Sequence, residues 1–325
     1  MTAIPDTRAE TVTGLLRRQD LRVSPGQWAA LAVLTVVAWL GATSFIGQYR
    51  PNQVAQLVEL IVPGQRAFPV MLAVAAALAA LGYLLRRITF AHASLIVAGF
   101  LAGHALYARL YPLLGLRIEI PLTSFSDGLT FAGSRLLWAV CVAVTVIPLW
   151  LITFARQPGE PRQLALGWGD WSVEAREFSA KREPERYSRM LITGYVAFIL
   201  ILFVLMQFNV GFRPLRTGAL LPLAPAILVS AITNAAAEEF IFRGLIQPVF
   251  IRVGGIAAGL WMQGALFGLM HWGASVGVLA ALPVSLGIGL GSVMWGKAAL
   301  ETRGLGWVTV AHALVDIAVM SAFFV

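Results

Sequence analysis

The stretch ALLPLAPAILVSAITNAAAEEFIFR, residues 219–243, decides how this chain is read. Nothing ionisable precedes Glu238 within it. The run is long enough to cross a bilayer, whose hydrocarbon core takes about 20 mostly apolar residues of helix. Two adjacent glutamates then stand at its end, followed one turn later by Arg243. A carboxylate at membrane depth is costly, so it marks a functional position by default. Glu239 and Arg243 are four apart and share a helix face. Glu238 points about 100° away from Glu239. One carboxylate is thereby matched by arginine and the other is left available. Two other uses stay open at this point, namely bracing of helix packing and binding of a transported cation.

The rest of the chain repeats the apolar character of this run. Of 325 residues, 58% are hydrophobic and 12% charged, where soluble proteins carry about 25% charge. The expected fold is all-α, a polytopic transmembrane helical bundle. A membrane barrel would show short alternating strands instead. About nine spans are expected, near 28–47, 67–85, 88–107, 136–154, 190–206, 219–242, 256–271, 277–295 and 305–325. The stretch 53–62 is too short and too charged to cross, and suits the interface. Residues 1–27 are polar and read as a cytoplasmic N-terminal segment with no cleavable signal. A four-span membrane region at 28–154, a basic cytoplasmic loop at 155–189 and a C-terminal core at 190–325 follow. The loop reads as a solvated connector.

The net charge of +8 comes from lysines and arginines that flank apolar spans. That placement fits lipid headgroups and topology control rather than nucleic acid. Most of these residues fall on one side when the N-terminus is cytoplasmic, so that orientation is expected. The expected location is a bacterial inner (plasma) membrane. A single cysteine, Cys141, excludes an internal disulfide framework and reads as a small buried apolar residue.

Two further polar groups lie after the first. FGLMH places Phe267 and His271 four apart, and HALVD does the same for His312 and Asp316. A lone histidine in a span is commonly a satisfied packing residue, and His92 and His104 are read that way. The pair His312 and Asp316 can share a hydrogen bond, bind a metal or simply stabilise the last span. The turn VGGI at 253–256 ties the first two groups together. Glu238 lies about 16 residues before it and His271 about 16 after. In a helical hairpin, equal distances from the turn give equal depth, with Pro248 free to kink one arm.

A carboxylate and an imidazole around one water make a general base, and burial tunes a carboxyl group for that work. No serine or cysteine with a matching partner offers itself as nucleophile, so direct attack by activated water is the natural chemistry. Glu238, His271, His312 and Asp316 also form a zinc ligand set on paper. The HExxH spacing of helix-borne zinc peptidases is absent, and a metal-free site without cofactor is preferred.

EExxxR, FxxxH and HxxxD, in this order on three spans, resemble the motif set of the type II CAAX prenyl endopeptidases. Together with the bacteriocin-processing enzymes these form the CPBP group. The resemblance covers roughly residues 190–325. It implies an intramembrane glutamic protease acting on a membrane-associated protein or peptide. By it, Glu238 activates water with His271, while His312 and residue 316 form the oxyanion site. Glu239, Arg243 and Phe267 support the site. The eukaryotic enzymes carry asparagine where Asp316 stands, and an ionised aspartate cannot donate, so Asp316 is left to orient His312. A non-catalytic immunity or scaffold protein of the same fold would show decay in one motif. A cation-coupled transporter would show paired broken helices in two related halves.

Overall fold

Serine caps set where two of the helices begin. The computed structural model describes residues 23–47, 67–116, 122–153, 166–175, 217–271 and 278–323, with isolated positions between 185 and 197. Helix α1 runs Pro25–Gly47. Ser24 Oγ accepts the Gln27 N–H at 3.2 Å and Gln27 Oε1 accepts the Ser24 N–H at 2.9 Å. This reciprocal pair satisfies donors that a helix start leaves orphaned, and Pro25 stands at the first position, where no N–H is needed. Helices α2 (Ala67–Leu84) and α3 (Ile88–Leu113) follow.

The next helix, α4 (Phe125–Thr153), begins well before the expected residue 136. Ser124 Oγ accepts the Asp127 N–H at 3.2 Å, and the Asp127 carboxylate accepts from the Thr123 N–H and hydroxyl at 3.0 and 2.6 Å. Arg135, just before the expected start, lies inside the helix. Its guanidinium sits over the rings of Phe131 and Trp138, at 4.9 and 5.7 Å, where aromatic faces accommodate a cation.

Four helical segments complete the described chain: α5 (Thr217–Glu239), α6 (Gln247–Met270), α7 (Val278–Thr302) and α8 (Gly306–Phe323). Between α5 and α6, Phe240–Ile246 winds as a π-helix. A two-residue antiparallel ladder, β1 (Glu174–Ala175) with β2 (Glu185–Arg186), lies in the loop after α4. Helices thus occupy eight of the nine expected spans. The span at 190–206 lies outside the described residues apart from isolated positions, as do residues 1–22 and the stretch 53–62. Among the described residues, Pro25–Thr43, Ile88–Leu113, Phe125–Thr153 and Leu221–Met270 are long and apolar enough to cross a membrane, and Phe68–Leu84 and Gly306–Ser321 are shorter apolar helices.

The run Leu221–Met270 is not one straight rod. Gly255 adopts φ 78° and ψ 174° inside α6. A Cβ built on Gly259 would lie 2.6 Å from the backbone of Ile251, although residues eight apart in a straight helix are separated by about 12 Å. The chain therefore reverses at Gly255, and the hairpin expected at VGGI forms.

The chain divides into two compact units, 1–101 with 246–293 and 102–245 with 294–325. Each takes spans from both sides of the 155–189 loop. In the first, α1 packs on α2 and on both arms of the α6 hairpin. Gln27 Nε2 donates to Val253 O at 3.3 Å, and Trp39 Nε1 donates to Leu269 O at 3.0 Å. Gly264 and Gly268 bring α6 against Gly289 of α7, with no room for a Cβ; small residues let membrane helices approach closely.

In the second unit, α5 packs against α4 and α8. A Cβ on Gly128 would lie 2.7 Å from Ala226 Cα, and the Ser230 hydroxyl donates to Gly128 O at 3.4 Å. Leu122, Phe131, Ile227, Ala231 and Met320 form the apolar core here. Residues 166–173 correct the reading of the whole loop as a solvated connector. Leu305 N–H donates to Gly167 O at 2.9 Å and Asp170 N–H to Thr302 O at 2.8 Å. The Trp171 ring stacks on Trp307 at 4.1 Å. The hydroxyl of Ser172, then its N–H, donates to Asp170 and holds that carboxyl below the usual carboxylate range.

Candidate active site

The expected pair on the first motif forms. Arg243 Nη1 lies 2.9 Å from Glu239 Oε1, and both side chains are fully buried. The local winding differs from expectation, because Arg243 belongs to the π-helical segment. Pro248 follows that segment. It lacks an N–H and its ring clashes with the carbonyl four residues back, so the ordinary ladder ends there and a wider turn takes its place. Single π-turns within helices are rare and occur often at functional sites.

Helix α8 brings its motif onto the same carboxylates. His312 Nδ1 lies 2.8 Å from Glu239 Oε1. A carboxylate engaged by arginine only accepts, so Nδ1–H is the donor and the ring orientation is fixed. The opposite edge, Nε2, then faces Glu238 Oε2 at 3.6 Å and Asp316 Oδ1 at 3.5 Å. The hydrogen bond envisaged between His312 and Asp316 is thus made to Glu239 instead, which gives Glu239 an orienting role beyond its arginine pair. Asp316 is held from elsewhere: Asn234 Nδ2 donates to its Oδ2 at 2.9 Å. Trp295 of α7 lies against the His312 ring, centroids 4.5 Å apart, and Arg243 Cζ is 5.7 Å from the same indole.

Three carboxylates, one guanidinium and one imidazole are therefore assembled among buried apolar residues. Removal from water makes each of these interactions stronger and makes the loss of any partner costly. The arrangement can hold a proton among Glu238, His312 and Asp316 and present a hydrogen-bonding edge at Nε2. Asn234 and Trp295 escaped the sequence reading. Asn234 carried a usable signal, because it stands four residues before Glu238 on the same helix face. Trp295 carried none.

Phe267 and His271 lie in the first unit, on the second arm of α6. His271 caps that helix, and its Nδ1 lies 2.8 Å from Phe267 O. A carbonyl accepts, so Nδ1–H donates and Nε2 of the neutral ring is left as a base. The Phe267 ring rests against the imidazole at 4.7 Å. The FxxxH spacing thus fixes the ring through both the backbone and the side chain of Phe267. The zinc ligand set conceived from the sequence draws on both units. Among the described residues, no three histidine, cysteine, aspartate or glutamate side chains group so as to hold a metal ion.

The histidines read as packing residues have ordinary partners. His104 Nε2 accepts the Trp138 indole N–H at 3.1 Å, and His92 lies edge-on to Tyr83. Cys141 is buried.

No curated protein and no solved structure matches the chain. Residues 219–318 match the family model Type II CAAX prenyl endopeptidase Rce1-like. The long apolar helices and that match point to an integral membrane protein, and the matched family implies a membrane-associated peptide or protein as substrate. The matched segment holds Glu238, Glu239, Arg243, His271, His312 and Asp316, and so the part of the chain that carries all three motifs is the part similar to the CAAX endopeptidase family that they resemble.

Proposed function

We propose that this protein is an intramembrane endopeptidase of the glutamic type. Its substrate is a membrane-associated protein or peptide, cut in a C-terminal tail, a leader or a sorting signal. Glu238 and His271 activate a water molecule, and no metal or other cofactor takes part. The water oxygen bonds to the scissile carbonyl carbon as Glu238 takes its proton, and the carbonyl electron pair moves onto oxygen. His312, carrying a proton on Nε2, donates to that oxyanion. Glu238 returns the proton to the amine as the carbon–nitrogen bond breaks. Such a general base contributes about 10²–10⁴-fold in rate.

The observation that carries the reading is the clamp on His312. Its Nδ1 edge is spent on Glu239, and its Nε2 edge is turned toward Glu238 and Asp316. A histidine kept only for packing has no use for a second polar edge aimed at two carboxylates. We place the protein in a bacterial inner membrane with a cytoplasmic N-terminus.

The test compares peptide termini in the membrane proteomes of cells with the wild-type protein, Glu238→Gln, His271→Ala and no protein. New termini should appear only with the wild type, at equal protein levels. Termini that persist with Glu238→Gln and His271→Ala overturn the assignment. Cleavage by purified protein should survive exhaustive chelation; loss restored by zinc alone would replace the metal-free mechanism with a metal-dependent one.

A further inference from the structure

Asn234 is a polar member of the buried cluster to which no motif assigns a task. It lies on α5, four residues before Glu238, so the two side chains stand on one face a helical turn apart, about 5–6 Å between Cβ atoms. It is 7% exposed. Its Nδ2 donates to Asp316 Oδ2 at 2.9 Å. An ionised carboxylate accepts only, so this bond fixes which end of the amide faces Asp316. The other end, Oδ1, is buried and makes no hydrogen bond among the described residues.

A buried acceptor left in that state calls for a donor. Glu238, Glu239 and Asp316 are acceptors when ionised, His312 turns its Nδ1–H to Glu239, and Arg243 Nη1 lies against that same carboxylate. A bound peptide can supply the donor. A peptide whose carbonyl is attacked beside Glu238 carries a backbone N–H about every 3.2–3.4 Å along its extended chain. One of them falls within a helical turn of the reacting carbon, which is the offset between Glu238 and Asn234.

We propose that Asn234 is a substrate-holding residue: its side-chain amide, anchored by Asp316, accepts a backbone N–H of the peptide adjacent to the scissile bond. Asp316 thereby acts on substrate through Asn234 as well as facing His312. The site takes an extended peptide with a free N–H at that position, and it discriminates against proline there. This proposal rests on the protease reading above.

The test uses the full-length protein in liposomes and an internally quenched peptide with an apolar C-terminal anchor, chosen because the wild type cleaves it and Glu238→Gln does not. Single N-methylation is scanned across the backbone amides flanking the cut. In the wild type, methylation of one amide should raise KM about tenfold or more. In Asn234→Ala, KM for the parent peptide should rise to a similar extent, kcat should change less, and the same methyl group should add little further loss. Equal methylation penalties in wild type and Asn234→Ala at every position would overturn the proposal while leaving the protease reading standing. If Asn234→Ala does not fold, Asn234→Ser is used. A wild-type scan with no sensitive amide also overturns the proposal, without any variant. Absence of Glu238-dependent cleavage overturns the protease reading and this proposal with it.

Discussion

The second unit contains two buried histidine–tryptophan pairs that look alike and stand in different surroundings. His104 lies edge-on to Trp138 at 5.6 Å and accepts its indole N–H. His312 lies against Trp295 at 4.5 Å. Both imidazoles are almost wholly buried. The difference is in what else they meet. His104 faces the neutral Trp138 N–H, with the Arg135 guanidinium over that indole at 5.7 Å, and the Tyr107 and Ser134 hydroxyls pair with each other at 2.5 Å. Around His312 stand Glu239, Glu238 and Asp316, with Arg243 behind them. Burial and aromatic contact are common to both. Convergent charge, held at a large desolvation cost, is what sets His312 apart and is why the proposed mechanism assigns the chemistry to it.

The largest effect should come from removing the charge that organises the second pair. Glu239→Ala leaves Arg243 buried without its principal counter-charge and frees His312 from its clamp. Removal of one partner from a buried ion pair costs about 3–5 kcal/mol. The melting temperature in detergent should fall steeply and proteolysis should be lost. A variant that melts like wild type would show that the two histidine environments are less different than their geometry.

Next in size is His312→Gln, which keeps a polar side chain but removes the ring. Loss of one oxyanion donor lowers kcat by about 10²–10³-fold. The variant should fold, with helical content unchanged, and should cleave a reporter peptide at that reduced rate. Wild-type turnover would place His312 beside His104 as a packing residue.

The third prediction concerns the joint between the two clusters. Helix α4 carries Ser134 and Trp138, and Gly128 of the same helix touches Ala226 on the helix that carries Glu238. Gly128→Val forces the backbones apart, and overpacking of this kind costs about 1–3 kcal/mol. Stability and kcat should fall together. A fall in stability with kcat intact would show that α4 supports the fold but not the geometry of the site.

Much of this site was readable before any coordinates, for a physical reason. A charge in an apolar run is conspicuous, and a spacing of four places two side chains on one helix face. Glu239 with Arg243, and His312 with Asp316, fall under both rules. What joins one helix to another did not show. The bond from His312 to Glu239 crosses 73 residues, and no local period encodes it. Asn234 is neutral and hides among small residues. Trp295 is one of ten tryptophans. The early start of α4 is signalled by Ser124 and Asp127, residues that the apolar span beginning at 136 leaves out. The π-helical winding at 240–246 depends on Pro248 downstream, which the sequence reading treated only as a kink. The docking of residues 166–173 depends on tryptophans and glycines in a segment whose charges suggested solvent.

The smallest effect sharpens the comparison most, because it uses the same substitution at the other histidine. His104→Gln exchanges one neutral acceptor for another, and the glutamine carbonyl can reach the Trp138 N–H that His104 Nε2 now accepts. A typical intramolecular hydrogen bond contributes about 0.5–1.5 kcal/mol net, and here it is replaced rather than removed. Trp138 also leans on Phe242 of the π-helical segment at 6.4 Å, so a collapse of this cluster would be felt at Arg243. With the indole still anchored, that contact should persist. The melting temperature should move by no more than a few degrees, and kcat/KM should stay within about twofold of wild type, while His312→Gln in the same assay loses at least about a hundredfold. If His104→Gln loses activity at unchanged stability, then His104 does more than fill space, and the rule that charge convergence separates reactive from packing histidines fails for this protein.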